Sequence, residues 1–219
     1  MVSKILAHID ARYPLMKKDA GEFANVTVGS MKFQIEYYEA EGLGNVSVMS
    51  GGAMLGLMKM DTIIINPFDR DASLFSYDRI YAMGNDTLLL EIYDTRLDRT
   101  LSEADEGKAL SALASAYQDL PDEPAASSWY DSIKYPCSLK KKGKKKQTPR
   151  FDELTIRYVD QYLDLAAAAP ECDRSAKKKA ASVYSEGLLK NGGPSTDSFM
   201  KAKGAEFTQR LFREVLFGI

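Results

Sequence analysis

The stretch MDTIIINPFDRDASLFSYDRIYAMGNDTLLLEIYDT, residues 60–95, decides the fold. It opens with a β-branched run that Pro67 ends, and two further runs of strand-forming residues follow at 74–83 and 87–94. The tripeptide Gly-Asn-Asp separates these two runs, and Gly and Asn tolerate the left-handed backbone of tight hairpins. We therefore predict a short antiparallel meander with Asp78 in the middle of its central strand.

Two registers of the second hairpin are open. A two-residue loop places Ile80 opposite Glu91, whereas a three-residue loop places Arg79 opposite Glu91 and pairs two tyrosines across the strands. We favour the three-residue loop because it makes a cross-strand ion pair and an aromatic pair on one face. Asp78 then lies on the other face, among Leu88 and other aliphatic side chains.

A carboxylate on an apolar sheet face must find a partner or stay protonated. Asp78 is therefore a candidate proton donor, because groups with perturbed pKa values concentrate at functional sites. The plainer alternative is an aspartate at the rim of the sheet that bonds a neighbouring backbone group or an arginine. The residues alone favour this plainer alternative.

Composition excludes several classes of site. The 219 residues are 45% hydrophobic and 27% charged with a net charge of −2, which is typical of a globular domain and implies no general attraction to nucleic acid. The chain has two cysteines, Cys137 and Cys172, and one histidine, His8, so a cysteine zinc site, an iron–sulfur cluster or a histidine-based catalytic centre is not expected. Few cysteines and no signal peptide or membrane-length apolar run predict a cytoplasmic protein without a membrane partner.

Outside the central stretch, strands and helices are segregated along the chain. Residues 31–40 alternate as a half-buried strand, and residues 45–60 extend the sheet to about five or six strands. Helical patterns precede and follow the strands. We place these helices at 3–11, from Glu103 after a Ser102 cap, at 151–169, at 175–190 and after a Ser195 cap. This order predicts an α+β fold in which helices pack on an antiparallel sheet, as a single domain over residues 1–219.

Residues 132–150 carry eight Lys or Arg side chains and no acid. Blocks of like charge are commonly solvated, so we predict a mobile basic loop here. The loop is also a candidate dock for an acidic protein or a tether for nucleic acid. Nucleic acid is the weaker of these because no aromatic residues are interleaved with the lysines. The clustered lysines are Lys140, Lys141, Lys142, Lys144, Lys145 and Lys146.

Two segments resemble a known superfamily. The sequence LFSYD at 74–78, after the break at Pro67, resembles the P-[IL]-F-G-x-D strand of the ferredoxin-dependent bilin reductases. Gly204 and the segment EFTQRLFREVLFGI at 206–219 resemble the closing helix of that superfamily, which also includes the red chlorophyll catabolite reductases. The resemblance covers about half the chain through short motifs.

The resemblance implies an α/β/α sandwich with a central antiparallel sheet, which holds a linear tetrapyrrole between the sheet and the C-terminal helices. It also implies that no flavin or metal is tightly bound, that electrons come from ferredoxin or flavodoxin, and that the acidic carrier docks on the lysines. Asp78 matches the catalytic aspartate of the central strand and becomes the expected proton donor. The residues expected to contact the substrate are Asp61, Thr62, Tyr77, Glu91 and Asn191.

The chain departs from the family pattern at several positions. Phycocyanobilin-forming members have a histidine on the strand before the aspartate, and here only Asp61 and Thr62 stand in that region. The Asn-Asp pair before the last helix is represented by Asn191 and Gly192. Three functions therefore compete: reduction of a bilin, binding of a tetrapyrrole without chemistry, and a protein- or nucleic-acid-interaction module that acts through the lysines.

Overall fold

A computed structural model describes residues 1–98, 103–124, 127–193 and 195–219, without the side chains of residues 103–106. Ser102 and Pro194 therefore lie outside the described residues. Eight strands in the described part form one antiparallel sheet. The strands are β1 Leu15–Lys18, β2 Asn25–Val28, β3 Met31–Ala40, β4 Gly44–Ala53, β5 Met58–Pro67, β6 Leu74–Ala82, β7 Asn85–Tyr93 and β8 Leu139–Lys144. Their spatial order is β1-β3-β4-β5-β6-β7-β8, with β2 beside β3.

Helices cover both faces of this sheet. They are α1 Val2–Asp10, α2 Glu103–Ser115, α3 Thr148–Ala168, α4 Arg174–Asn191, α5 Thr196–Lys203 and α6 Ala205–Arg210, which continues into a π-helix Leu211–Phe217. Because side chains alternate along a strand, each of the long strands β3 to β7 contributes to two cores. Phe75 packs on α3, with its ring centroid 5.0 Å from that of Tyr162. Leu74, its neighbour, belongs to the core under α4 and the π-helix.

The predicted antiparallel sandwich is therefore confirmed, and the sheet is larger than the predicted five or six strands. The extra strands are β1, β2 and β8, and β1 and β2 are only four residues long. Both pair with β3, so the ladder to a long central strand stabilises segments whose own patterns are too short to recognise.

The meander of β5, β6 and β7 is confirmed, but both predicted registers are wrong. The turn is Met83-Gly84, with φ values of +49° and +76° as a tight primed turn requires. This turn places Asp78 opposite Leu89 and Ser76 opposite Glu91. A methionine thus occupies a position where asparagine or glycine is usual, and the predicted three-residue and two-residue loops begin one and two residues too late in the chain.

The side chain of Arg79 explains why this register is stable. Arg79 is 1% exposed and does not pair with Glu91; its Nη2 donates to Asp86 Oδ2 at 2.6 Å. Thr148 donates to the same oxygen at 2.7 Å. The predicted cross-strand ion pair is therefore replaced by a buried one near the turn, on the face that α3 covers.

The predicted mobile loop is wrong for residues 139–144, because they form the edge strand β8. Lys141 lies opposite Leu88 and is 3% exposed. Its Nζ lies 2.7 Å from Asp122 Oδ1 and donates to the carbonyl of Leu120 at 3.2 Å. The segment after α2 supplies these acceptors, so the charge block is compensated by a part of the chain that is remote in sequence.

The helices follow the predicted ranges with one difference at the C-terminus. In α4 the buried stripe runs through Ala181, Tyr184 and Leu188, so Val183 lies outside it and is 64% exposed. The last predicted helix is interrupted at Gly204, whose φ of +84° ends α5 and starts α6. None of the helices in the described ranges combines the length and apolarity of a membrane span.

Candidate active site

A cavity lies between the sheet and the C-terminal helices, on the face opposite α3. The gap between its walls spans about 820 Å³ when the open solvent at its mouth is included. Met60 and Ile64 line it from β5, and Leu188 and Leu216 line it from the helices. The walls are therefore mostly apolar, and the polar groups among them determine its chemistry.

Asp78 lies in the cavity wall on the central strand β6. Its Oδ1 accepts a hydrogen bond from the Thr62 hydroxyl at 2.5 Å, and its Oδ2 accepts one from the Ser76 hydroxyl at 3.1 Å. Burial raises the pKa of Asp78 to about 6, the Glu91 carboxylate adds to the rise, and the two hydroxyls partly offset it. Asp78 therefore gains and loses its proton closer to neutral pH than an aspartate with the ordinary pKa of 3.8 does.

Glu91 is the second carboxylate of the cavity, on β7 directly opposite Ser76. Its Oε2 accepts a hydrogen bond from the Tyr93 hydroxyl at 2.8 Å. The Lys134 ammonium lies 3.7 Å from Oε1 and 2.9 Å from Asp131. Glu91 thus has a cationic partner, whereas the hydrogen-bond partners recorded for Asp78 are neutral hydroxyls.

Aromatic side chains close one end of the cavity. Tyr93 of β7 stacks on Tyr184 of α4 with ring centroids 4.2 Å apart, and Tyr130 meets Tyr93 edge-on at 5.7 Å. Burial raises the pKa of both Tyr93 and Tyr184, so their hydroxyls stay protonated at neutral pH. Trp129 packs where a side chain at Gly187 would be, which explains the glycine inside α4.

Buried polar side chains hold the π-helix over the cavity. Asn45 donates to the carbonyls of Val215 and Leu216, each at 3.2 Å. Ser47 donates to the Leu216 carbonyl at 2.8 Å, and Asn66 donates to the Phe217 carbonyl at 2.8 Å. These bonds satisfy carbonyls at a helix end, so the sheet itself fixes the roof of the cavity.

The structure brings three of the six predicted site residues together: Asp78, Thr62 and Glu91 all line the cavity. Tyr77 does not; it is fully buried in the core under α3 because it alternates with Asp78 along β6. Asp61 alternates with Thr62 along β5, so it lies on the other face of the sheet, opposite Arg79 of β6. Asn191 is exposed at the end of α4 and does not line the cavity.

Sequence reasoning missed Ser76 and Tyr93 as site residues. Each lies two positions from a predicted residue on the same strand, Ser76 from Asp78 and Tyr93 from Glu91, so strand alternation could have found them. It also placed Leu88 on the face of Asp78, but the true register puts Leu88 in the core under α3.

The predicted lysine dock is corrected at one position, since Lys141 is buried in an ion pair. The side chains of Lys142, Lys144, Lys145 and Lys146 are exposed, and Lys140 is half-buried. His8 bonds Asp160 at 2.8 Å on the outer face of α1, away from the cavity. Among the described residues no group of three or more His, Cys, Asp and Glu side chains is arranged to hold a metal ion.

Comparison with known proteins shows the fold. The chain is similar to the crystal structure of selenomethionine phytochromobilin synthase from tomato in complex with biliverdin, with a TM-score of 0.82. The two share 13% sequence identity over 99% of this chain and 81% of the tomato chain. No model of a protein family and no curated protein sequence matches the chain.

Proposed function

We propose that this chain reduces a linear tetrapyrrole of the bilin class, with Asp78 as the proton donor. The observation that carries the proposal is a carboxyl group whose pKa is raised to about 6 in the wall of a mostly apolar cavity. The fold shared with an enzyme that was crystallised with biliverdin supports this choice of ligand. An open-chain tetrapyrrole is a flat, largely apolar molecule with several N–H donors, which suits apolar walls with carboxylate acceptors.

The residues suit protonation of a reduced ligand. Reduction of one double bond takes up two electrons and two protons. Asp78 would transfer one of these protons to a ligand atom, and solvent water would supply the other. The Thr62 and Ser76 hydroxyls would then stabilise the Asp78 carboxylate that remains. Glu91 and the protonated Tyr93 would position the ligand beside Asp78, because they form the adjoining wall.

We propose further that the electrons come from ferredoxin or flavodoxin and that no redox cofactor is tightly bound. The acidic carriers expected from the resemblance would be attracted by the exposed lysines Lys142, Lys144, Lys145 and Lys146. Lys141 is excluded from this role by its burial.

A second candidate is a protein that binds a tetrapyrrole without reducing it. Thr62 favours it, because this residue lies directly opposite Asp78 in the region where phycocyanobilin-forming members are expected to carry a histidine. A threonine hydroxyl orients Asp78 but does not supply a proton near pH 7 as an imidazolium does. In this candidate Asp78 serves only as a hydrogen-bond acceptor for the ligand.

The test begins with absorption spectroscopy. We expect biliverdin to give a red-shifted, intensified band with the wild-type protein and with Asp78→Asn, because the amide preserves the shape of the side chain. Under anaerobic reduction with a ferredoxin system, the wild type should turn the bilin over and Asp78→Asn should not. The matched control is Asp61→Asn, which makes the same change on the neighbouring strand but on the opposite face, and it should retain turnover.

The possible failures are distinct. Full turnover by Asp78→Asn would show that Asp78 is not the donor. Binding by all three proteins without turnover by any would favour the second candidate. A wild-type protein that gives no spectral change with biliverdin would contradict the tetrapyrrole proposal.

A further inference from the structure

An apolar patch is exposed where the β4–β5 and β6–β7 hairpins turn. We call it the tip patch and define it by Met54, Leu55, Leu57 and Met83. These side chains are 53%, 107%, 65% and 79% exposed, and they are four of the seven large exposed hydrophobic side chains in the described part of the chain. Such contiguous exposure usually marks an interaction surface.

The two turns are adjacent in space. The amide of Met83 donates to the carbonyl of Leu57 at 3.4 Å, and Met58 lies opposite Ala82 in the β5–β6 pairing. The end of β8 continues the same edge, because Asn85 lies opposite Lys144. Four strand spacings separate β4 from β8, so this edge is roughly 20 Å wide.

The backbone at the tips is held in unfavourable conformations. Met54, Leu55 and Met83 have φ values of +52°, +54° and +49°, and they are the non-glycine residues with positive φ in the described ranges. Such conformations cost free energy for residues with a Cβ and concentrate at functional sites. Large apolar residues at these positions gain nothing from burial within this chain, which suggests that a partner buries them.

Lysines surround the tip patch. Across residues 52–59, 81–85 and 144–147 the charged side chains are Lys59, Lys144, Lys145 and Lys146. All four are exposed. The nearest acid in sequence, Asp86, is 1% exposed and paired with Arg79. The edge therefore has an apolar centre and a positive rim, although the whole chain carries a net charge of −2.

We propose that the tip patch and its lysine rim are the docking surface for an acidic protein with an apolar contact centre. We identify this acidic protein as the electron carrier, and this identification rests on the proposed function. Charge complementarity selects an acidic surface and steers its approach, and the aliphatic side chains supply the buried contact.

The position of the tip patch suits electron delivery. Met60 and Ile80 line the cavity and lie two residues from Met58 and Ala82 at the tips. Asp78 is four residues from Ala82 along β6, which is roughly 13 Å at the usual rise of a strand. A carrier bound at the tip patch would therefore lie close to the end of the cavity that faces the hairpin turns.

Binding to an acidic [2Fe–2S] ferredoxin and to a flavodoxin at low salt, measured by calorimetry, tests the proposal. Leu55→Ser and Leu57→Ser should each weaken carrier binding roughly tenfold, and the double charge reversal Lys144→Glu/Lys145→Glu should weaken it further and reduce its salt dependence. The matched controls are Val183→Ser, at a 64% exposed site on α4, and Lys18→Glu/Lys190→Glu on exposed surface elsewhere. The controls should bind as the wild type does.

Turnover driven by a small chemical reductant separates docking from chemistry. The tip variants should lose carrier-driven turnover and keep reductant-driven turnover. If neither reductant nor carrier drives any turnover but the tip variants still lose carrier binding, the docking proposal stands and the proposed function fails. Wild-type affinity in the tip variants would overturn the docking proposal, as would failure of the wild type to bind either carrier. The docking proposal would also be overturned if the protein does not bind a carrier but instead dimerises, or sediments with anionic phospholipid vesicles, in a way that depends on Leu55.

Discussion

Asp78 and Arg79 are neighbours on β6, yet their side chains lie on opposite faces of the sheet, and the two faces differ in whether the charge has a partner of opposite sign. Arg79 faces α3, where Asp86, Asp152 and the ring of Phe151 surround its guanidinium. Asp78 faces the cavity, where hydroxyl groups are its recorded hydrogen-bond partners and burial raises its pKa to about 6. The Arg79 charge is compensated and serves the structure. Within the described residues no cation pairs with the Asp78 carboxyl group, and this makes it available for proton transfer.

The largest effect on stability should come from removing one partner of the buried Arg79–Asp86 ion pair. Arg79→Leu would leave Asp86 buried without its cation, so we expect a loss of about 3–5 kcal/mol in the free energy of unfolding. Urea denaturation measures it. The double variant Arg79→Leu/Asp86→Leu removes both charges and should recover most of the loss. A single variant as stable as the wild type would show that the ion pair does not hold the β6–β7 register.

Removing a charge on the cavity side, at Asp78, should instead raise the free energy of unfolding. The folded state binds a proton on Asp78 more tightly than the unfolded state, because its pKa is raised from 3.8 to about 6. Its contribution to stability is therefore fully present below about pH 4 and is lost as the pH rises to 6. Asp78→Asn should be more stable than the wild type at pH 7 by roughly 2–3 kcal/mol.

Denaturation at several pH values separates this cause from others. The advantage of Asp78→Asn should disappear below pH 4, where both side chains are neutral. An advantage that is independent of pH between 4 and 7 would contradict a raised pKa as its origin.

The difference between the two faces also explains what the sequence could predict. Strand alternation placed Asp78 on a strand in the middle of a meander and gave the sandwich, because both depend on local patterns. The face that each neighbour shares depends on register, and register here depends on the Met83-Gly84 turn and on the Arg79–Asp86 pair. A shift in register by an odd number of residues changes which residues of neighbouring strands share a face, so Leu88 was assigned to the face of Asp78. Ser76 lies on the same strand as Asp78 and Tyr93 on the same strand as Glu91, so their place in the cavity follows from alternation alone and does not depend on register.

The basic segment shows the same limitation over a longer distance. A block of lysines predicts a solvated loop if its surroundings are unknown. Lys141 is nevertheless buried in β8, because Asp122 and the Leu120 carbonyl come from a segment about twenty residues earlier. Partners supplied by tertiary structure cannot be found from the charge pattern of the segment itself.

A smaller effect should come from the hydroxyl that bonds Asp78. The Thr62 hydrogen bond is the largest of the influences that lower the pKa of Asp78. Thr62→Val keeps the shape and removes the donor, so the pKa of Asp78 should rise further. Carboxyl NMR titration measures it directly. Thr148→Val, which removes a hydroxyl bonded to Asp86 on the other face, should leave the pKa of Asp78 unchanged.

The smallest effect should come from Glu91, which acts on Asp78 through its charge alone. The Glu91 carboxylate raises the pKa of Asp78, and its influence ranks below that of the Thr62 hydrogen bond. Glu91→Gln removes the charge and keeps an oxygen that can accept from Tyr93, so the wall of the cavity is preserved. The pKa of Asp78 should therefore fall, by less than it rises in Thr62→Val.

The sign of this last shift tests whether the two carboxylates share one cavity. In NMR titration, Glu171→Gln is the matched control, because Glu171 has an 83% exposed side chain beside Arg70. It should leave the pKa of Asp78 unchanged. Loss of the Glu91 charge alone should lower the pKa of Asp78. A rise of that pKa in Glu91→Gln would mean that Lys134, freed from its partner, has moved away from the cavity, and that the loss of this cation outweighs the loss of the Glu91 charge. A fall, together with retained biliverdin binding, would mean that Glu91 keeps Asp78 protonated at higher pH and so extends the range over which Asp78 can donate.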